Sequence, residues 1–299
     1  MTQIAAPCST ITSVITPTDQ RTVLITGCSS GIGACMAAGL KARGYRVFAT
    51  ARKASDAAAL NAQGFESMRL DLADSASIHA AVDEVLQRSS GGAIYALVNN
   101  GGFGQPGAVE DLRREVLRAQ FETNVFGTVE LTNAIIPLMR KQGYGRIIIN
   151  SSVLGLVAMP YRGAYNASKF ALEGITDTLR QELYGSGIHV SLLEPGPIAS
   201  RFRANAFALY QKNIDKQHSA HRTIYEGMEK RLTKSGPAQP FTLPPEAVLK
   251  KVLHALESPR PKARYYVTVP TYFLGTLRRV LTTRGMDQLM RVLSRRENR

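Results

Sequence analysis

A chain of 299 residues, 44% of them hydrophobic, is long enough to bury one large core. It has no apolar stretch approaching 18 residues, so no membrane-spanning helix is expected. Its 3 cysteines (Cys8, Cys28, Cys35) are odd in number and lack metal-ligand spacing, which points to a reducing cytoplasm and no metal site.

Lys and Arg number 37 against 23 Asp and Glu, for a net charge of +14. Such basicity raises nucleic-acid binding. The charge gathers in two stretches, Ser200–Lys234 and Arg278–Arg299, and neither interleaves aromatics with bases as single-strand binders do. No nucleic-acid partner is therefore expected.

In chain order, residues 1–20 are rich in Thr, Ser, Ile and Pro without a steady period and read as a loose tail. They lack the basic start and apolar core of a secretory signal. The first strand, Val23–Thr26, runs into a glycine turn, and a helical pattern begins after Gly31. Strand, glycine turn and helix together place backbone N–H groups and a positive helix end under a pyrophosphate. Gly27 allows the tight turn, Gly31 lets phosphates approach, and Gly33 permits close helix packing. Cys28, inside the turn, reads as packing.

A second strand, Val47–Thr50, is followed by Arg52 and Lys53, with no acid before Asp56. An acid here would bind the ribose 2′-hydroxyl of NAD, whereas an arginine accommodates a 2′-phosphate. Arg52 offers a fork of donors, Lys53 a looser charge, and Ser29 a hydroxyl from the turn. The pattern favours NADP(H) over NAD(H). Further strands are expected at Ser67–Leu70, Ala93–Asn99, Arg146–Asn150, His189–Leu193 and Tyr265–Val269, alternating with helical patterns. That rhythm predicts an α/β fold: a Rossmann-like, doubly wound parallel seven-stranded sheet with helices on both faces.

Tyr165 and Lys169 stand four residues apart, on one face of a predicted helix. A lysine ammonium close to the phenol favours phenolate. Lowering a tyrosine from about 10 to about 7 requires roughly 4 kcal/mol, which a lysine and a positively charged nicotinamide ring could supply in a dry cleft. The result is a general acid/base usable near neutral pH.

Taken together these pieces resemble the short-chain dehydrogenase/reductase family, in its compact single-domain branch, from about residue 20 to residue 270. Thr26-Gly27-x-x-x-Gly31-Ile32-Gly33 is similar to its cofactor turn, which adds Ser30 and Ile32 to the expected contacts. Asp71-Leu72 falls where the family meets adenine. Asn99-Asn100-Gly101-Gly102 resembles its Asn-Asn-Ala-Gly element, with Gly101 in place of alanine, and Asn99 and Gly101 join the cofactor set. Pro195-Gly196-Pro197-Ile198 resembles the segment that meets the nicotinamide, and Ser200 stands where a threonine often binds the carboxamide.

The resemblance implies that Asn124, Ser152, Tyr165 and Lys169 carry the chemistry. Ser152 holds the substrate oxygen and Tyr165 exchanges its proton. Lys169 also binds the nicotinamide ribose, and Asn124 holds a water leading toward solvent. The thirteen-residue interval to Tyr165 selects Ser152 over its neighbour Ser151, since successive strand residues face opposite ways.

A flap over residues 199–240 carries Phe202, Phe207, Leu209, Tyr210, Ile214 and Tyr225. With Leu154, Val157 and Met159 these suggest an apolar pocket. It suits a fatty aldehyde, retinoid or steroid-like carbonyl, in line with a diffuse likeness to retinol and 17β-hydroxysteroid dehydrogenases. His218 and His221 read as surface residues. Residues 271–299 form a basic amphipathic helical tail, with Phe273, Leu277, Val280 and Leu281 at helical spacing and Leu289, Met290 and Leu293 continuing the face. Such a tail can meet a membrane interface, a partner subunit or the protein's own core, with the last favoured. Family analogy suggests a homodimer or homotetramer through helices near 112–141 and 160–184. The competing reading is a non-catalytic cofactor-sensing or membrane-surface protein; the presence of Ser152, Tyr165 and Lys169 weighs against it.

Overall fold

Val23, Leu24 and Ile25 are all fully buried, Val23 and Ile25 in one apolar layer and Leu24 in the other. A strand buried on both faces belongs inside a parallel sheet. In the computed structural model, which describes residues 21–89, 93–236 and 239–297, that strand is central. The strands are β1 (Thr22–Ile25), β2 (Arg46–Ala51), β3 (Glu66–Arg69), β4 (Ala96–Asn99), β5 (Gly145–Asn150), β6 (Ile188–Glu194) and β7 (Arg264–Tyr266). They form one sheet in the order β3-β2-β1-β4-β5-β6-β7, with every pairing parallel. The expected tail at 1–20, with Cys8, lies outside the described residues.

Helices α1 (Gly31–Ala42), α2 (Ala54–Ala62) and α9 (Glu246–Glu257) supply Met36, Leu40, Leu60 and Val252 to the layer of Val23 and Ile25. Helices α3 (Ser75–Arg88), α5 (Gly127–Gln142) and α6 (Gly163–Glu182) supply Ile78, Val85, Leu131, Ile135 and Leu172 to the layer of Leu24. The fold is thus the doubly wound one that the alternating pattern dictates. No helix among the described residues is long and apolar enough to cross a membrane.

Two strands are shorter than expected. Before β4, the N–H and C=O of Ile94 both bond to the Gln142 side chain. After β7, Val269 opens helix α10 (Val269–Val280), with a proline in its first turn.

The flap is helical and packed, with α7 (Phe202–Asn213) and α8 (Arg222–Thr233). Tyr210, Ile214, Tyr225 and Met228 bury against Leu112, Val116 and Ala164, with Phe207 alongside. The Tyr225 hydroxyl accepts from the Ala108 N–H at 2.9 Å and donates to Asp111. These aromatics fasten the flap to the body, a correction to their expected place in a substrate pocket. Leu154, Val157 and Met159 lie beneath α10 and α11 (Thr283–Glu297), packed with Leu274, Met286 and Met290, and Tyr165 packs against the same cluster. The end of α11 is tied down by Glu297, which pairs with Arg162 at 2.6 Å and accepts from Gln239 at 2.8 Å. The inward face of the tail is core.

Candidate active site

The glycine turn is built by conformation and contact. Gly27 (φ 72) and Gly31 (φ 59) occupy left-handed backbone, where a Cβ is disfavoured. A Cβ on Gly27 would lie 2.8 Å from Gly101 Cα, and one on Gly33 would lie 2.7 Å from Asn100 Nδ2 and overlap the Gly27 carbonyl. At Gly31 a Cβ would also meet Ser200 Cβ at 2.9 Å, so the glycine admits the loop after β6 as well.

Asn100 is the tie that sequence reasoning did not single out. Its Nδ2 donates to Thr26 O at 3.0 Å and Gly27 O at 3.2 Å, and its Oδ1 accepts from Asn150 at 3.0 Å. Thr26 Oγ1 accepts the N–H groups of Asn100 and Gly101 at 2.9 and 2.8 Å. Asn99 faces the other way, its Nδ2 donating to Thr132 at 2.9 Å. The signal was present, since alternation sends consecutive asparagines to opposite sides.

The N-terminus of α1 has no acidic residue in its first turn, and the Ser30 side chain makes no capping bond. That leaves a positive helix end open above a cradle that any larger residue would fill, which fits a pyrophosphate. Ser29 is exposed, and Ile32 packs partly on the core. The end of β2 is fastened to the turn by Cys28 N–H to Thr50 O at 2.8 Å and Thr50 Oγ1 to Ile25 O at 3.1 Å. Arg52 and Lys53 follow directly, both exposed and without an ion pair among the described residues. Asp71 closes a turn by accepting from Ala73 N–H at 3.1 Å, while Leu72 is buried.

Asn124, Ser152, Tyr165 and Lys169 converge at the C-terminal end of β5. Helix α4 (Arg114–Phe121) passes into a π-helical turn over Glu122–Phe126 before α5, a distortion frequent at functional sites. It delivers Asn124, whose Nδ2 donates to Phe103 O at 2.9 Å and Ser168 Oγ at 3.1 Å, and whose Oδ1 accepts from Phe103 N–H at 3.1 Å. Ser152 caps a 3-10 turn, its Oγ accepting from Leu154 N–H at 3.1 Å.

Lys169 reaches the Tyr165 ring as the four-residue spacing predicts, while its hydrogen bond goes to backbone. Its Nζ donates to Asn150 O at 2.6 Å and sits 5.6 Å from the Tyr165 ring centroid. In the protein alone, desolvation pushes the Tyr165 phenol up to about 12, and the opposing pull comes from a hydrogen bond with Ser152 rather than from Lys169. Desolvation brings Lys169 down to about 8, with Glu173 pulling it back. The chain by itself therefore keeps a neutral tyrosine.

Phe202 meets Tyr165 edge to face at 5.4 Å between ring centroids and stays 41% exposed, so it alone of the expected pocket aromatics borders the tyrosine. Gly104 makes room for both rings, since a Cβ there would meet Phe202 at 2.6 Å and Tyr165 at 3.3 Å. Pro195 accepts from Val153 N–H at 2.9 Å. Gly196 packs on Thr268, and Ile198 bridges to Leu243. Ser200 accepts from Phe202 N–H at 3.3 Å. His221 pairs with Glu110 and His218 with Asp215, both away from Tyr165.

Residues 21–210 match the family model described as short chain dehydrogenase. The chain is 43% identical over 271 residues to an uncharacterized oxidoreductase, YbbO, of Escherichia coli K12, covering 91% of this chain and 94% of the relative. It is 34% identical over 261 residues to human 17-beta-hydroxysteroid dehydrogenase type 1, covering 82% and 77% respectively. A short-chain dehydrogenase from Streptomyces avermitilis superposes with a TM-score of 0.71 at 29% identity, over 92% of this chain and 98% of the other.

Proposed function

This chain belongs to the short-chain dehydrogenase/reductase family, and on that footing we propose that it is an NADP(H)-dependent oxidoreductase working between a lipophilic aldehyde or ketone and the matching alcohol. One arrangement carries the reading: Lys169, one turn beyond Tyr165 on α6, lies over the Tyr165 ring at 5.6 Å, and Ser152 on the turn after β5 favours the ionised phenol. The bound nicotinamide dinucleotide supplies or accepts the hydride. Gly27, Ser30, Gly31, Ile32 and Gly33 form its pyrophosphate cradle, and Arg52, Lys53 and Ser29 receive the 2′-phosphate. Asp71 and Leu72 border the adenine. Gly101 lines the ribose side without Asn99, whose side chain turns to Thr132, while Pro195, Gly196, Ile198 and Ser200 flank the nicotinamide.

Tyr165 gives its proton to the carbonyl oxygen in reduction and recovers it from the alcohol in oxidation, while Ser152 holds that oxygen. Lys169, steadied by the Asn150 carbonyl, serves the nicotinamide ribose and supplies positive charge. Asn124 has used both amide hydrogens and one Oδ1 lone pair. A second lone pair remains for a water linking Lys169 to solvent.

An apolar substrate is supported by the half-open Phe202 ring beside Tyr165 and by the hydroxysteroid named in the human relative's description. Pairing of subunits through α4–α6 is supported by exposed Val109, Phe126 and Phe170. Peripheral docking on an anionic lipid surface is supported by the outward face of α10, where Val269, Tyr272, Phe273 and Val280 are exposed beside Arg278 and Arg279. Unpaired Cys28 and Cys35 suit a reducing cytoplasm. The decisive experiment follows NADPH consumption against aldehydes and ketones of increasing apolar size. We expect Tyr165→Phe to abolish turnover while NADPH still binds; unchanged turnover in that variant would end the assignment.

A further inference from the structure

Behind Lys169 lies a buried group of charges that none of these steps uses. Along α6, Lys169, Glu173 and Asp177 follow one another at four-residue intervals, and Arg180 lies a turn beyond. Strand β6 ends on Glu194, which is 0% exposed, and β7 opens on Arg264. The Arg264 guanidinium gathers three acids. Its Nη1 pairs with Glu173 Oε2 and lies 2.5 Å from Glu194 Oε1, and its Nη2 lies 2.5 Å from Asp177 Oδ2. Asp177 also meets Arg180 at 2.7 Å.

Three carboxylates thus face Arg264 and Arg180, with Lys169 beside Glu173, and Glu194 sits where burial penalises its charge. The second oxygens sharpen the point. Glu173 Oε1 and Glu194 Oε2 are both buried without a donor among the described residues. The two carboxyl groups share one donor, Arg264 Nη1, and so stand side by side; two buried carboxylates so placed are relieved when one carries a proton.

We propose that Glu173 and Glu194 hold one proton between them, and that releasing it places a negative charge behind Lys169 that keeps the ammonium charged as pH rises. Both glutamates are positioning residues in this scheme, acting through Lys169, and the scheme rests on the role given to Lys169 above. The two titrations overlap: burial and the charge of Glu173 push Glu194 up toward about 8, while burial brings Lys169 down to about 8. The other groups facing the pair are Asp177 and Arg180 on α6, Arg264 and Tyr266 on β7, and Arg279 of α10, which acts on Tyr266. Ser151 closes the site from the turn after β5. Its buried hydroxyl has no partner among the described residues, and a Cβ on Gly155 would touch both it and Glu173 Oε1, at 2.7 and 2.9 Å.

The test reads the proton directly. Infrared difference spectra of the full-length protein without substrate are recorded between pH 6 and 10 for wild type, Glu194→Gln and Glu173→Gln. We expect a buried carboxylic-acid band in wild type at pH 7 that fades on alkalinisation, and its loss in Glu194→Gln. In Glu173→Gln, Glu194 loses the neighbouring charge but stays buried beside Arg264, so its band should fade at lower pH than in wild type. Absence of the band in wild type, its persistence in Glu194→Gln, or an unmoved fade in Glu173→Gln would overturn the shared proton. Because no turnover is needed, this arm stands apart from the assignment of the reaction. In the second arm, the alkaline limb of the pH profile for alcohol oxidation should move to lower pH by about half a unit to one unit in each variant, the scale of one nearby charge. A uniform loss of rate with the limb unmoved would mean a merely structural cluster and overturn the link to Lys169. Should Glu194→Gln fail to fold, Glu173→Gln at the less enclosed partner answers both arms.

Discussion

Gly33→Ala is the most informative single change in the cofactor cradle. The added Cβ would lie 2.7 Å from Asn100 Nδ2 and 2.8 Å from the Gly27 carbonyl carbon, and closer still to its oxygen, where ordinary contact begins at 3.4 Å. Backbone meets backbone here, so no side chain can swing aside. Either α1 withdraws or the Gly27 peptide rotates. Rotation breaks the 3.2 Å bond from Asn100 Nδ2 to Gly27 O. Overpacking costs about 1–3 kcal/mol and a lost hydrogen bond about 1 kcal/mol, so a destabilisation near 3 kcal/mol is expected. At about 2–4 °C per kcal/mol, the melting midpoint should fall by about 6–12 °C. Displacing the N–H groups of the turn should weaken NADPH binding by roughly a hundredfold, the equivalent of a similar free energy. Differential scanning fluorimetry and an NADPH fluorescence titration provide the two readouts. Gly174→Ala is the control: nothing lies within 4 Å of a Cβ there, and alanine should stabilise α6 by about 0.5–1 kcal/mol. A Gly33→Ala protein that melts within a degree of wild type and binds NADPH normally would refute the reasoning.

Tyrosinate absorbance should separate the protein's own electrostatics from those of the loaded enzyme. Without cofactor the Tyr165 phenol is held up to about 12 by burial. The signal that Tyr165→Phe removes should then appear only at strongly alkaline pH, and move to lower pH once NADP is added; a near-neutral titration in the cofactor-free protein would contradict this. Arg52→Asp should lower the preference for NADPH over NADH at least tenfold, the scale of one charge-assisted bond to a phosphate, and an unaltered ratio of kcat/KM values would remove the phosphate clamp. Stability against pH should also report on Glu194. Its carboxyl titrates above the ordinary value of 4.5, so the native state keeps a proton that the unfolded chain loses. The associated stability is complete below about 4.5 and declines as pH rises toward about 8. The melting midpoint of Glu194→Gln should therefore gain on wild type between pH 5 and 8; parallel curves would show that Glu194 ionises normally in the fold.

Much of the architecture was legible because buried parallel strands and their covering helices leave a repeating apolar signature. All seven strands were found, and the errors sat at ends where a competing group intervenes, Gln142 at Ile94 and the proline start of α10 at Val269. The cradle was legible too, because left-handed backbone and backbone contact exclude other residues at Gly27 and Gly33. Spacing pointed to Tyr165, Lys169 and Ser152 and the family resemblance to Asn124, and the fold brings all four to one end of β5. The flap and tail misled, since an aromatic on a helix reads the same whether it lines a cleft or fastens one layer to another. Tyr210 and Tyr225 do the second.

By itself, then, the sequence determined the order of strands and helices, the glycine cradle and the Tyr165–Lys169 pair, because each depends on residues near one another in the chain. Only the tertiary structure decided where Lys169 donates its proton, which way Asn99 and Asn100 turn, and that Glu173, Glu194 and Arg264 meet. Those outcomes join residues tens of positions apart, and what settles them is the desolvation that no linear pattern records.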